Sequence, residues 1–342
     1  MEKRIFRIKE VDGCTDFQHV TLTIVKREIY LTFDDGIQAG TEEVLALLKE
    51  KKVKATFFLT GVHLWYAFSY YPEKAKTILK EIYENHIIGN HSYSHANDHY
   101  SSFYRDAGVL IDNQSKRMNV ASDFEKCKNQ INYYLGLVYN KDFSKIKFPL
   151  AKNQKTPLAR FPGTNSWYVN DKIKDIKSTD RGHTWELAEK DTKEEAEELF
   201  KQGYKIFGWD AEWNMEFDFN KKAIVEEEER KKNKTMDYSK WEISHPFYDM
   251  YSKENISNDR VTETWETVRD KLLEKVRDGG LWDDVGKTDG KVVLLMHERA
   301  FRNGKVVNKS LDMTNKDEIK KLENLIDYFL KIKAEFKTLE NY

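Results

Sequence analysis

Cysteine is nearly absent from the chain: Cys14 and Cys127 are the only two in 342 residues. That excludes a disulfide-stapled scaffold and a cysteine-built zinc knuckle. Proline and glycine are scarce as well, 5 and 16 residues, so the chain is neither collagen-like nor low in complexity. Neither charge is in excess, with 57 Lys and Arg against 58 Asp and Glu. A nucleic-acid binder usually carries a basic surplus, so no nucleic acid is expected as a partner. No run comes near the roughly 18 apolar residues of a membrane-crossing helix. The opening MEKRIFRIKEVDG has no apolar centre and no small-residue cleavage site, so it does not read as a signal peptide. A cytoplasmic chain and a mature exported form carrying Met1 both fit that opening. Nothing in the sequence fixes the oligomeric state.

What the chain does have is apolar bulk. Hydrophobic residues make up 39% and aromatics 13%, enough to bury a sizeable core. The pattern alternates strand and helix. Buried strands are expected at 29–33, 54–59, 86–89, 156–161, 204–209 and 291–296, with a last short strand at 336–339. Helices are expected at 41–51, 71–85, 120–137, 194–202, 262–277 and 317–332, from apolar residues at helical spacing. Repeated strand–helix units give a parallel sheet. Together with the absence of a Pro- or Gly-rich linker, they predict one α/β domain over 1–342, a (β/α) barrel. Residues 1–27 read as a short N-terminal β extension with strands near 4–9 and 20–26. Two stretches break the rhythm and read as insertions, 96–119 and 215–258. The second holds the charge run EEEERKKNK and then aromatics up to Tyr251.

Chemistry gathers where the strands end. Thr32-Phe33-Asp34-Asp35-Gly36 closes the first buried strand. Asp-Gly alone is an ordinary turn, but paired carboxylates at the carboxyl end of a barrel strand lie where barrel active sites form. Asn90-His91-Ser92-Tyr93-Ser94-His95 follows another strand. On a helical turn, positions four apart share a face, so both imidazoles could reach one ion. With one carboxylate they make a two-His, one-carboxylate set with coordination positions to spare, as a catalytic site needs. Arg160-Phe161-Pro162-Gly163, Trp209-Asp210-Ala211-Glu212-Trp213 and Leu294-Leu295-Met296-His297-Glu298 each end a further apolar run.

In this order, TFDDG, HSYSH, RFPG, WDAEW and LLMHE resemble the motifs of the polysaccharide deacetylase family, carbohydrate esterase family 4, with its NodB homology domain. The resemblance runs over roughly 28–340 and implies a distorted barrel of seven strands. It also implies roles. Asp35, His91 and His95 would hold a divalent metal, and Asp34 would be the base that takes a proton from the attacking water. Arg160 would orient Asp34 and hold it as an anion. The N–H near Gly163 would face the oxyanion, His297 would be the general acid, and Trp213 and Leu295 would line a pocket for the acetyl methyl. An acid of the fourth motif would keep His297 charged; Asp210 is the first choice and Glu212 the second. Zinc suits this donor set, and cobalt, nickel or iron compete for it. The implied activity is removal of N-acetyl groups from N-acetylglucosamine units of peptidoglycan or a chitin-like polymer, with an acetylated glycan as partner. An O-acetyl esterase, a small-molecule amidase and a non-catalytic sugar binder are the alternatives.

The chain departs from the family pattern in three places. The fourth motif is short, the fifth reads His-Glu where His-Asp is usual, and Gly163 stands where an aromatic residue is common. His63, His99, His183 and His245 are expected to be surface or core residues. Trp167 could stack on a sugar, though packing explains it as well. Trp185, Trp265 and Trp282 read as core or interface.

Overall fold

The structure is a computed structural model that describes residues 27–38, 40–95, 119–170, 193–216, 261–277, 290–301, 305–307, 310–312 and 317–342. The expected strands at 4–9 and 20–26 and nearly all of both expected insertions lie outside these residues. So do His99, His183, His245, Trp185, Trp282 and Cys14.

The first strand, β1 (Glu28–Asp35), is buried along its length after Glu28. That is the signature of a central strand covered on both faces in a parallel sheet. Its residues divide by strand alternation. Ile29, Leu31 and Phe33 join the large cluster packed under the helices, whereas Tyr30 joins Phe58, Trp167, Phe207, Val293 and Leu339 on the other face. Thr32 and Asp34 follow Tyr30 on that second face, so the strand's interior side runs from an aromatic plug to a carboxylate at its carboxyl end.

Seven strands form one parallel path. In spatial order they are β5 (Lys205–Ile206), β4 (Leu158–Ala159), β3 (Ile87–Asn90), β2 (Thr56–Leu59), β1, β9 (Lys291–His297) and β6 (Ala211–Glu212). An eighth, β12 (Glu335–Lys337), also pairs parallel with β1 beside its amino-terminal half. Among the described residues no pairing joins β5 to β6, so this is an open, distorted (β/α) barrel with seven strands on its path, the number implied by the resemblance, but β6 takes the place of the expected strand at 336–339, which is β12 and lies off the path.

The helices follow the sequence pattern closely. In α1 (Thr41–Lys51), Val44, Leu45, Leu47 and Leu48 are buried; Glu42 and Glu43 lie in the first turn and Lys49 and Lys51 in the last, matching the helix dipole. Pro72 opens α3 (Pro72–Asn85), where its missing N–H is harmless. Asn119 and Ser122 form a capping box on α4 (Val120–Tyr139). Further helices are α5 (Lys193–Gln202), α6 (Trp265–Arg277) and α7 (Asp317–Lys331).

Besides β6, three elements were not expected. Helix α2 (Gly61–Tyr70) fills the connection after β2. Two antiparallel pairs, β7 (Met215–Glu216) with β8 (Val261–Thr262) and β10 (Lys305–Val307) with β11 (Ser310–Asp312), flank α6 and β9. Trp167 is buried against Phe207 and Tyr342, so packing is its role here.

Candidate metal and acid–base site

Because the barrel strands are parallel, their carboxyl ends share one rim. Strand register then decides what meets there. Asp34 pairs with His297, and Asp35, Leu59, Asn90 and Ala159 lie in one row across β1, β2, β3 and β4. His91 and Arg160 are each one residue past that row.

Adjacent residues of a strand point to opposite faces, so Asp34 and Asp35 should diverge. They do not, because the backbone leaves the extended region at Asp35, with φ 83°, and stays left-handed at Gly36, with φ 93°. That conformation costs a non-glycine residue about 1 kcal/mol. The bend brings both carboxylates to His91: its Nε2 lies 3.6 Å from Asp34 Oδ2 and 3.8 Å from Asp35 Oδ1. His95 Nε2 is 3.2 Å from Asp35 Oδ1. One ligand atom each from Asp35, His91 and His95 lie within 4.8 Å of one another, a group that could hold a metal ion. The donor set fits a divalent cation. His91 Nδ1 donates to the Arg160 carbonyl oxygen at 2.8 Å, which leaves Nε2 with its lone pair toward the carboxylates. Burial, with the neighbouring His95, lowers the His91 pKa to about 3, so the ring is neutral, as a ligand must be.

The helical turn expected for His91–His95 is not there. Ser92 and His95 both have left-handed φ, 68° and 56°. Polar side chains hold the turn instead. Asn90 Oδ1 accepts from the Ser92 N–H, Ser92 Oγ accepts from the His95 N–H, and the Asp123 carboxylate accepts from the N–H and hydroxyl of Ser94. Asn and Ser side chains compete in this way with helical hydrogen bonding. The two rings still converge, with centroids 5.0 Å apart.

Arg160 is wholly buried and uses its fork fully. Nη1 donates to Asp34 Oδ1 at 2.8 Å and Thr32 Oγ1 at 2.7 Å, Nε to the Phe207 carbonyl at 3.0 Å, and Nη2 to the Gly208 carbonyl at 2.7 Å. Its guanidinium lies 4.3 Å from the centre of the Phe58 ring. Burial pushes the Asp34 carboxyl above its ordinary value, and the charges of Arg160 and His297 pull it back. His297 Nε2 is 4.0 Å from Asp35 Oδ2, and its ring is mostly buried.

The remaining expected residues fall as follows. Asp210 is stitched to β9, its Oδ2 accepting from the Val293 N–H at 2.8 Å and its own N–H donating to the Val293 carbonyl at 2.9 Å. Val293 is four residues before His297, whereas Glu212 pairs with Leu295, two residues before it. By register Glu212 therefore stands nearer His297 than Asp210 does. Trp213 and Leu295 do meet, through the Trp213 N–H and the Leu295 carbonyl at 2.9 Å, and both are buried. Gly163 has φ 62°, and a Cβ there would touch nothing within 4 Å.

Four residues at this rim escaped the sequence reading. Thr60 and His63 bond the Asp35 carbonyl. Gln38 Nε2 bonds the Asp34 carbonyl oxygen at 3.4 Å and Glu298 Oε2 at 3.3 Å. Glu298 is wholly buried. The one signal for Glu298 was its place directly after His297.

Residues 23–159 match the family model for polysaccharide deacetylase. A chitin disaccharide deacetylase of Vibrio alginolyticus is 27% identical over 215 residues, 57% of this chain and 49% of that enzyme. A peptidoglycan-N-acetylglucosamine deacetylase of Bacillus cereus is 47% identical over 74 residues, 21% of this chain and 24% of that enzyme. The matched segments thus span half or less of these curated relatives. A solved Streptococcus mutans CE4 esterase superposes over 92% of this chain and 86% of its own, with a TM-score of 0.45 and 18% identity. Over residues 23–159, which carry TFDDG, HSYSH and the strand leading into Arg160, the chain is thus similar to the polysaccharide deacetylase family.

Proposed function

We propose that the protein is a metal-dependent hydrolase that removes N-acetyl groups from N-acetylglucosamine-type units of a glycan. One observation carries the reading. A possible metal-holding trio, a carboxylate locked to a buried arginine and a histidine on the facing strand end converge on a single rim. The matched relatives, named as chitin and peptidoglycan deacetylases, support the substrate class.

Asp35, His91 and His95 would hold the ion, with zinc the first choice for two imidazoles and a carboxylate. A bound dication polarises the acetyl carbonyl and makes water more acidic. The protein's own groups do the rest. Asp34 accepts the proton of the attacking water, and Arg160 keeps its carboxylate aimed. His297 delivers a proton to the amide nitrogen, without which the amine is a poor leaving group. As the C–N bond breaks, the acyl carbon keeps the water oxygen and acetate leaves. Asp210 or Glu212 sustains the charge on His297, Trp213 and Leu295 enclose the methyl, and the Gly163 N–H faces the oxyanion.

The test is acetate release from an N-acetylated chito-oligomer by the zinc-loaded protein, with an O-acetylated glycan alongside. Asp34→Asn should keep zinc and lose about 10²- to 10⁴-fold in turnover. His91→Ala should lose zinc and turnover together. Near-full activity in Asp34→Asn would remove Asp34 as the base. Zinc uptake without acetate release from either glycan would favour a sugar-binding protein, and release from the O-acetylated glycan alone would favour the esterase.

A further inference from the structure

The Asp35 carbonyl oxygen receives three donors. They are the Thr60 N–H at 3.1 Å, Thr60 Oγ1 at 2.6 Å and His63 Nδ1 at 2.8 Å. A bare Nδ1 would set its lone pair against a carbonyl lone pair at that distance. Nδ1 therefore carries the proton and donates, and Thr60 Oγ1, 2.9 Å from the same nitrogen, shares it. Thr60 and His63 are both buried.

The placement of Thr60 is informative. It is the N-cap of α2, with extended backbone, yet its side chain makes no capping bond to its own helix. A threonine at this position ordinarily accepts from an N–H of the first turn. Here the hydroxyl is diverted to Asp35. The first two N–H groups of α2, which have no partner within a helix, also go to the site. Gly61 donates to the Ser92 carbonyl at 3.1 Å and Val62 to the Tyr93 carbonyl at 2.8 Å. Gly61 allows this approach, since a Cβ there would lie 2.2 Å from the Tyr93 ring. One helix end thus grips both turns: the left-handed bend that aims Asp35 and the turn that carries His91 and His95.

We infer that the first turn of α2 is the jig of the metal site, with Thr60 and His63 as positioning residues that hold Asp35 in its left-handed conformation and so set its carboxylate toward His91 and His95. The inference rests on the metal-site reading proposed above.

Zinc affinity of the metal-stripped full chain, measured against a competing chelator, tests it, with thermal melting of the same metal-free samples in parallel. His63→Leu keeps bulk but loses the donor, and should weaken zinc binding about 10- to 100-fold, the usual effect of removing an outer-sphere partner. His63→Asn places an amide N–H near the lost Nδ1–H and should recover most of that loss. Thr60→Val should weaken zinc binding in the same sense, and Thr60→Ser should not. This second pair supplies the contrast should His63→Leu fail to fold. A purely structural role would lower the metal-free melting temperature and leave zinc affinity unchanged, and that result overturns the inference. A wild-type chain that takes up no zinc would instead overturn the metal site itself.

Discussion

The barrel is held together differently on its two sides. From β1 to β3 the strands are four to eight residues long and almost wholly buried, so backbone ladders fix their ends. On the other side β4, β5 and β6 are two residues each and have few ladder bonds to give. Buried polar side chains take over. Arg160 reaches back to the carbonyls of Phe207 and Gly208, Asn165 bonds both the N–H and the carbonyl of Trp209, and Asp210 takes the Val293 N–H. The candidate metal trio hangs from the laddered side, and Arg160, Asp210 and Glu212 stand on the stapled side. Arg160, the partner of Asp34, is then also a structural bolt of the stapled side.

That contrast gives the largest expected effect. Arg160→Met should cost on the order of 3–5 kcal/mol of folding stability, because it strands a buried carboxylate and frees two carbonyls. Arg160→Lys should recover little of it, since one ammonium cannot replace a fork that serves four partners. Urea unfolding of the two variants measures this. If Arg160→Met unfolds like the wild type, the stapling account of the short-strand side is wrong.

The two sides were also unequally legible. β1, α1 and α3 follow from hydrophobic period, and the grouping of Asp35, His91 and His95 follows from residue type, because carboxylates and imidazoles at strand ends have few other uses. What the sequence hid is mostly hydrogen bonding across distance. Helix α2 is apolar nearly all round, with Val62, Leu64, Tyr66, Ala67 and Phe68 all buried, so it shows no polar face to betray a helical period. Thr60 and His63 act on the backbone of Asp35, and no pattern of side chains reports a backbone acceptor. The four-residue spacing of His91 and His95 suggested a helix, yet two left-handed residues achieve the same convergence. The bond from the Val293 N–H to the Asp210 carboxylate was hidden in the same way.

The laddered side has its own weak point, and acid should expose it. His86 sits just before β3, where its Nδ1 accepts the Ala55 N–H at 3.2 Å, a side chain standing in for a rung. Burial, with the charge of Lys54 nearby, lowers its pKa from 6.5 to about 4. Between those values the unfolded chain binds the proton and the folded chain does not. Stability therefore falls as pH drops from 6.5 to 4, by about 3 kcal/mol for 2.5 pH units, and the loss levels off below 4. His86→Asn retains an acceptor for Ala55 without a titrating ring. Its urea midpoint should fall less than that of the wild type across this window, and an equal fall in both would show that His86 is not the group responsible.

Glu298, between the two sides, should titrate in the opposite sense. Its wholly buried carboxyl has Oε2 against Gln38 and an Oε1 with no hydrogen-bond partner among the described residues. Burial raises its pKa well above the ordinary carboxyl value, and the charges of Asp35 and Asp34 raise it further. For an acid whose folded pKa is raised, the folded state holds the proton longer. The stabilisation is complete below the ordinary carboxyl pKa and drains away as pH climbs toward the folded value. Glu298→Gln keeps an acceptor for Gln38 and has nothing to ionise. In the chelator-treated protein, where no dication offsets the carboxylates, this variant should gain melting temperature over the wild type as pH rises from the ordinary carboxyl range into neutrality. The gain should vanish in acid. A gap that stays constant with pH would mean that Glu298 is already ionised in the fold, and that the rim carries three buried negative charges before any metal arrives.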